Sequence, residues 1–160
     1  MSIELTRVDF RLIHGQVITR WVTLLGINEI VTIDTVLSKD DFMQTVFKMA
    51  APKGVKIRIL SVEDAVKSQQ NGEFENNKVM ILFKSVKELD NAIRSGLKLK
   101  EVQIGGLGGG PGRKAVNNAI TFDRADADTL LALEDLGVNI YLQTTPDYPS
   151  ETLKKAVEKL

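Results

Sequence analysis

The segment KVMILF (78–83) contains five apolar residues in succession, and it decides the fold class of the chain. A short, continuous apolar run of this kind is typical of a strand that is covered on both faces, as in a parallel sheet. A helical pattern follows, with Ser85 as its predicted N-cap and Gly96 at its end. The apolar side of that helix is formed by Val86, Leu89 and Ile93. The region therefore predicts a buried strand followed by a helix.

The same alternation of strand and helix extends in both directions along the chain. Further strands are predicted at residues 3–9, 29–34, 55–60, 101–105, 119–122 and 138–143. Helical patterns separate most of them, which is typical of an α/β fold with three layers, an open and mostly parallel sheet, and helices on both faces. The length of 160 residues suits a single domain, 1–160.

Two helices near the amino terminus carry apolar faces that we expect to be buried. The first ends at Gly26, and its apolar face is formed by Val17, Trp21, Leu24 and Leu25. The second takes Ser38 as its predicted N-cap, and its apolar face is formed by Met43, Val46, Phe47 and Ala50.

The composition excludes several classes of function. Lys and Arg number 21 and Asp and Glu number 21, so the net charge of +0 argues against non-specific binding to nucleic acid or to an anionic membrane surface. The absence of cysteine excludes disulfides, thiolate zinc sites and a cysteine nucleophile. The first ten residues lack the apolar core of a signal peptide, and no segment approaches the ~18 apolar residues of a spanning helix. We therefore expect any role at a membrane to depend on a partner.

The single histidine, His14, is the main candidate for chemistry. It lies between the first strand and the first helix, in the segment DFRLIHGQ (9–16), where open α/β sheets bind their ligands. A neutral imidazole nitrogen is a nucleophile near physiological pH, and the free N–H groups of a helix start attract a phosphoryl group. Arg11 offers a planar donor fork for phosphate oxygens, Asp9 can hold one imidazole tautomer or accept from Arg11, and Gly15 leaves the approach uncrowded. A purely structural, hydrogen-bonding role for His14 fits the same position equally well.

The glycine cluster GGLGGGPGRK (105–114) also follows a predicted strand, and it raises the alternative of a nucleotide site. It lacks the Gly-Lys-Ser/Thr of a phosphate-binding loop. A G-x-G-x-x-A match that starts at Gly110 contains Pro111, which removes one of the backbone N–H groups that such a loop offers to a phosphate. We expect instead a flexible loop at the same sheet edge as His14. Its residues that contact the phosphoryl group or the acidic rim of a partner are predicted to be Gly105, Gly106, Arg113 and Lys114. Simple solvation of the two basic side chains is an equal alternative.

Three acids in the segment DRADAD (123–128) raise the question of a metal site. The segment begins a predicted helix, where acidic side chains complement the helix dipole, and that position explains them better. We predict no metal and no cofactor.

The segment RVDFRLIHGQVITRW (7–21) resembles the active-site signature of the IIB components of the mannose/fructose/sorbose family of the sugar phosphotransferase system. Residues 28–57, 102–116 and 136–153 resemble the second strand and helix, the Gly-Gly loop, and the closing strand and helix of the same family. The resemblance therefore covers nearly the whole chain. Phe10 departs from the family pattern, since many members have an acidic or small polar residue there, and we interpret it as a variable position outside the chemistry.

The resemblance implies a phosphotransferase in which His14 is the phosphorylated nucleophile and Asp9 and Arg11 assist it. Gly15, Gln16 and Arg11 are then expected to bind the phosphoryl group. The implied donor is a phosphorylated IIA protein, which we expect to be a separate polypeptide. The implied acceptor is a sugar held by membrane IIC and IID components, at the cytoplasmic side. The sugar remains open among mannose, fructose, sorbose and amino sugars such as N-acetylgalactosamine. A homodimer is compatible with the sequence but is not demanded by it.

The sequence leaves two rival functions open. A nucleotide-binding enzyme that uses the Gly105–Gly112 loop would bind nucleotide and tolerate loss of His14. A non-catalytic regulatory subunit that retains the IIB fold would also tolerate replacement of His14, without binding nucleotide.

Overall fold

Nine strands and six α-helices alternate along residues 3–160, the part of the chain that the computed structural model describes. In chain order they are β1 (Ile3–Asp9), α1 (Gly15–Leu25), β2 (Glu29–Ile33), α2 (Asp41–Ala50), β3 (Lys56–Leu60), α3 (Val62–Gln70), β4 (Val79–Phe83), α4 (Val86–Arg94), β5 (Glu101–Gly106), β6 (Lys114–Asn117), β7 (Ile120–Phe122), α5 (Arg124–Asp135), β8 (Asn139–Leu142), β9 (Glu151–Thr152) and α6 (Leu153–Val157). Short 3-10 helices at Leu37–Lys39 and Glu73–Glu75 precede α2 and β4. The two residues before Ile3 in the predicted domain 1–160 lie outside this description.

β1 lies at the centre of a seven-stranded sheet with the order β3-β2-β4-β1-β5-β8-β9. All its strand pairs are parallel except that of β8 with β9. β4 pairs with both β1 and β2 and is buried along its whole length, as the run at 78–83 predicts. The α/β class, the mostly parallel sheet and the helices on both faces are therefore confirmed.

The two faces of the sheet are covered because side chains alternate along each strand. Met80 and Leu82 of β4 pack with Ile18 and Trp21 of α1 on one face. The other face packs against α3, α4, α5 and α6, whose buried side chains include Ala65, Leu89, Leu130 and Leu153. Each fully buried aliphatic or aromatic side chain contributes on the order of 1.5–3 kcal/mol. The two layers together hold the carboxyl ends of the central strands in fixed positions.

The predicted apolar face of α1 is only partly correct. The helix ends at Gly26, as predicted, and Gly26 takes the left-handed conformation. Its buried residues are Ile18, Trp21 and Val22, whereas Leu24 is 60% exposed. Leu24 falls outside the face because the contact with the sheet follows the i, i+3, i+4 row that starts at Ile18.

α2 departs further from its prediction. Its N-cap is Asp40, whose carboxylate accepts from the N–H of Met43 at 3.0 Å, and not Ser38, whose hydroxyl donates to the carbonyl of Thr35. None of its residues is buried. Of the predicted buried face, Met43 and Phe47 are half-buried, and Val46 and Ala50 are exposed. The predicted apolar residues show that the helix is amphipathic, but only Met43 and Phe47 among them face the sheet.

The region after β5 differs from the predicted flexible loop. Gly105 and Gly106 belong to β5 itself, and β6 pairs with β7 in a separate antiparallel hairpin. The strand predicted at 119–122 is therefore part of this hairpin and not of the main sheet. β6 escaped prediction because its sequence, KAVN, is short and half polar. The hairpin projects from the carboxyl end of β5, next to the end of β1.

Candidate active site

His14 is the last residue of the loop that connects β1 to α1, and the local backbone explains its position. The N–H of Leu12 donates to the carbonyl of Asp9 at 3.0 Å and closes a tight turn after β1. Leu12 has a φ of 57°, a left-handed conformation that is costly for a residue other than glycine, and its buried side chain anchors the turn. His14 is the N-cap of α1, beside the unpaired N–H groups of the first helical turn. Its side chain is 20% exposed, so that one part of the ring reaches the surface.

Asp9 holds the imidazole from the buried side. Its carboxylate is inaccessible, and Oδ2 lies 3.0 Å from Nε2 of His14. Oδ1 accepts from the backbone N–H of Arg11 at 3.1 Å. Burial alone would raise the pKa of Asp9. The hydrogen bond with His14, the charge of Arg7 and the N–H of Arg11 outweigh burial, and they hold the pKa of this carboxyl below its ordinary value. Asp9 is therefore an anion that accepts a hydrogen bond from the Nε2–H group of His14. In the neutral ring this leaves the lone pair on Nδ1.

The depressed pKa of Asp9 makes part of the stability pH-dependent. Because the folded-state pKa lies below the unfolded value of ~3.9, this stabilisation is present above that pH and is lost as the pH falls through the folded-state pKa. We expect the difference in free energy of unfolding between wild type and Asp9→Asn, measured in urea, to be largest near neutral pH and to shrink below about pH 4. A difference that stays constant down to the acid unfolding of the protein would contradict this assignment.

Arg7 lies in the candidate site, although sequence reasoning did not identify it. It is completely buried, and Nη2 lies 3.0 Å from Oδ2 of Asp9. Nη1 donates to Oε1 of Gln103 at 2.6 Å and to the carbonyl of Gln143 at 3.2 Å, and the guanidinium lies 5.9 Å from the centre of the Trp21 ring. Burial lowers the pKa of Arg7, and Asp9 opposes this effect. The spacing of Arg7 and Asp9 could have identified it, because residues two positions apart in a strand point to the same side of the sheet.

Gly105 and Gly106 serve the buried side of this site and not a phosphate loop. A Cβ atom on Gly105 would lie 2.0 Å from Cζ of Arg7, and one on Gly106 would lie 3.1 Å from Oδ1 of Asp9. The predicted contacts of these two glycines with a phosphoryl group are therefore replaced by contacts with Arg7 and Asp9. The two glycines provide the space in which the ion pair is buried.

Gly105→Ala is expected to destabilise the protein by ~3 kcal/mol, because the new methyl group displaces the guanidinium of Arg7 in a packed interior. Urea unfolding followed by circular dichroism measures this change. Gly109→Ala is the matched control, since its Cβ would meet nothing within 4 Å, and we expect a change within about 1 kcal/mol. Equal effects of the two substitutions would show that the space beside Arg7 is not required.

Arg11 lies on the exposed side of the Asp9 carboxylate. Its Nε is 3.4 Å from Oδ1 of Asp9, and its side chain is 39% exposed. Within residues 3–160 its two Nη atoms make no hydrogen bond, so they remain available to an anion. The guanidinium lies 5.3 Å from the centre of the Phe10 ring, which also packs against Gly108. The interpretation of Phe10 as a variable position outside the chemistry stays a prediction, and its ring lies against the side chain of Arg11.

Gly15 and Gln16 begin α1 directly after His14, and both are exposed. Gly15 has a φ of 36°, and a Cβ on it would meet no protein atom within 4 Å. The backbone conformation therefore accounts for glycine here, independently of crowding near His14. Their role toward a phosphoryl group remains a prediction.

Arg113 is engaged away from His14. Its Nε donates to Oγ1 of Thr121 at 2.9 Å, and its Nη atoms contact Asp123 at 3.2 Å and Asp126 at 2.6 Å. These bonds attach the β6–β7 hairpin to the start of α5, so the expected contact of Arg113 with a phosphoryl group has no support in this geometry. Lys114 is exposed in β6. Asp123 is the N-cap of α5, as its position at a helix start predicts.

No group of three or more His, Cys, Asp or Glu side chains within residues 3–160 is arranged to hold a metal ion. No helix between Ile3 and Leu160 combines the length and the apolar character needed to cross a bilayer.

The chain is similar to proteins of known family over its whole length. The family model described as "PTS system sorbose subfamily IIB component" matches residues 3–160. The sorbose-specific EIIB component of Lacticaseibacillus casei is 32% identical over 160 residues, which cover 100% of this chain and 98% of that protein. The mannose-specific EIIAB component of Escherichia coli is 28% identical over 100% of this chain, which spans half the length of that relative.

Solved structures give the same result. The crystal structure of the IIBSor domain of the sorbose permease from Klebsiella pneumoniae superimposes with a TM-score of 0.90 at 32% identity, covering 100% of this chain and 99% of that domain. The structure of manxB from Thermoanaerobacter tengcongensis gives a TM-score of 0.88 at 36% identity, covering 98% of this chain and 95% of the other.

Proposed function

Because the chain belongs to the sorbose-subfamily IIB components of the sugar phosphotransferase system, we propose that it accepts a phosphoryl group on His14 from a IIA partner and passes it to a sugar. The observation that carries this proposal is the 3.0 Å contact between Asp9 and Nε2 of His14. It directs the lone pair of the ring to Nδ1, next to the start of α1. A phosphoryl acceptor requires this arrangement of a nucleophile and an anion-binding helix end.

The first transfer follows from these positions. Nδ1 of His14 attacks phosphorus, the Nδ1–P bond forms, and the P–N bond to the donor histidine breaks and returns its electron pair to the donor. Asp9 stabilises the imidazolium character that develops on the ring, through the proton on Nε2. The free Nη atoms of Arg11 and the first N–H groups of α1 offset the charge on the phosphoryl oxygens.

The second transfer reverses the role of the histidine. A sugar hydroxyl attacks phosphorus, the Nδ1–P bond breaks, its electrons return to the ring, and the hydroxyl proton leaves to solvent. Apart from the bond to His14, the protein contributes positioning and charge stabilisation, as is general for phosphoryl transfer. No metal is needed in this scheme, since Arg11 and the helix start supply the positive charge.

The partners follow from the family. A IIA protein is the proposed donor, and the E. coli relative that joins the A and B components in one chain supports this choice. Membrane IIC and IID components are the proposed site of sugar transfer, at the cytoplasmic face. The partial exposure of His14 and Arg11 gives both partners access to the phosphoryl group.

The proposal is tested by sugar phosphorylation in a reconstituted system. Phosphoenolpyruvate, the two general phosphotransferase proteins, a IIA protein and membranes with IIC and IID are combined with and without this chain. Sugar phosphate is expected only when the chain is present, and none with His14→Ala. Thr23→Ala, on the exposed face of α1, is the control and retains activity. Formation of sugar phosphate with His14→Ala would overturn the proposal.

A further inference from the structure

α2 exposes an apolar stripe that the rest of the described chain does not cover. Phe42, Val46 and Met49 are spaced i, i+4, i+7 and are 75%, 41% and 82% exposed. No other helix within residues 3–160 exposes more than one large apolar side chain. Single exposed apolar residues are ordinary, whereas a contiguous stripe marks a contact surface. We call these three residues the α2 stripe.

The α2 stripe is distinct from the side of α2 that packs on the core. The opposite side of α2 is already used, because Phe47 packs against the cluster that contains Trp21 and Leu82. Rotating the stripe inward would expose Phe47 in its place. The helix therefore has two apolar sides, and only one of them is satisfied by this chain.

The two charged residues beside the α2 stripe have opposite signs, so that two copies of the helix can pair through them. Asp41 and Lys48 are both exposed and lie seven residues apart, which places them on the same flank of the helix. Neither forms an ion pair with any residue of the described chain. When two antiparallel helices pack about a two-fold axis, the same flank of each helix lies next to that of the other, and the start of one helix lies beside the end of the other. Asp41 of one copy then faces Lys48 of the other, and Phe42 faces Met49.

We propose that the α2 stripe binds a second copy of this chain, with the two α2 helices antiparallel about a two-fold axis. Val46 then lies at the axis, against its own copy, and each positive helix start lies beside a negative helix end. A ten-residue helix is ~15 Å long, so the contact buries less than the ~800 Å² per partner of a typical stable interface. The dimer is therefore dissociable and depends on protein concentration.

Sedimentation equilibrium over a wide concentration range tests the surface. Wild type is expected to show a monomer–dimer equilibrium, and Val46→Asp to weaken it at least ~10-fold, because two charges meet at the axis. Leu136→Asp, which replaces an exposed apolar residue outside α2, is the matched control and should associate like wild type. Thermal unfolding confirms that each variant is folded. Wild type that stays monomeric at every concentration, or Val46→Asp that associates normally, would overturn the proposal.

A charge exchange tests the antiparallel geometry. Lys48→Glu is expected to weaken the dimer several-fold at low salt, since each Asp41 then faces a like charge. The double variant Asp41→Lys, Lys48→Glu restores opposite charges across the axis and is expected to recover most of the affinity. Only a self-pairing surface has this property, because an unrelated partner would not change its own charges. A double variant that is no better than Lys48→Glu would overturn the antiparallel arrangement.

Discussion

Asp9→Asn is expected to slow the phosphorylation of His14 by about 10²- to 10⁴-fold while the chain remains folded. The carboxylate accepts from Nε2 at 3.0 Å, so the ring is held with its proton on that nitrogen and its lone pair on Nδ1. An asparagine that turns its amide N–H₂ toward His14 favours the opposite tautomer, in which Nδ1 carries the proton and cannot attack. It also removes the negative charge that stabilises the imidazolium during transfer.

The rate is measured by rapid mixing of the chain with phosphorylated IIA, and the tautomer by ¹⁵N NMR of the His14 ring. Asp147→Asn is the matched control, because Asp147 is an exposed carboxylate that pairs with Arg20 on the surface. It should leave both readouts near wild type. If Asp9→Asn transfers within about threefold of the wild-type rate, Asp9 does not select the nucleophilic nitrogen.

Arg7→Met is expected to cost ~3–5 kcal/mol of stability, the largest effect on folding that we predict for a single side chain. Arg7 and Asp9 are both completely buried and lie 3.0 Å apart, so removing the cation leaves an uncompensated anion inside the protein. For a domain of this size the loss corresponds to a fall in Tm on the order of 10 °C. The pKa of Asp9 should rise in the variant, since Arg7 is one of the groups that depress it.

Urea unfolding measures the loss, with Arg124→Met as the control. Arg124 forms an exposed i, i+4 pair with Asp128, and its removal should change stability by no more than about 0.5 kcal/mol. The double variant Arg7→Met, Asp9→Asn should be more stable than the sum of the two single losses predicts, because it leaves no buried charge unpaired. Additive losses, or a loss below about 1 kcal/mol for Arg7→Met, would show that the pair is not coupled.

The layout of the sheet and the grouping of Asp9, Arg11 and His14 were accessible to sequence reasoning because both depend on local patterns. An apolar run such as 78–83 has few stable positions other than the centre of a parallel sheet, and β4 occupies that position. The spacing of Asp9, Arg11 and His14 places all three at the end of one strand, where the structure brings them into contact. The short turn from Asp9 to His14 leaves little freedom to separate them.

The parts that escaped prediction depend on contacts between distant segments. A buried arginine is rare, and nothing near Arg7 in the sequence shows that Gln103, Gln143 and the space beside Gly105 receive it. The apolar pattern of α2 shows that the helix is amphipathic, but it does not show which surface covers it. The hairpin of β6 and β7 likewise depends on pairing between two short segments with weak patterns.

The most direct test of the account is the intact mass of the chain after incubation with phosphoenolpyruvate, the two general phosphotransferase proteins and a IIA protein, kept at alkaline pH. We predict one phosphoryl adduct on wild type that requires IIA, is lost in acid, and is absent from His14→Ala. Failure to form an adduct with several IIA donors, or equal labelling of His14→Ala, would contradict the assignment of His14 as the phosphoryl carrier.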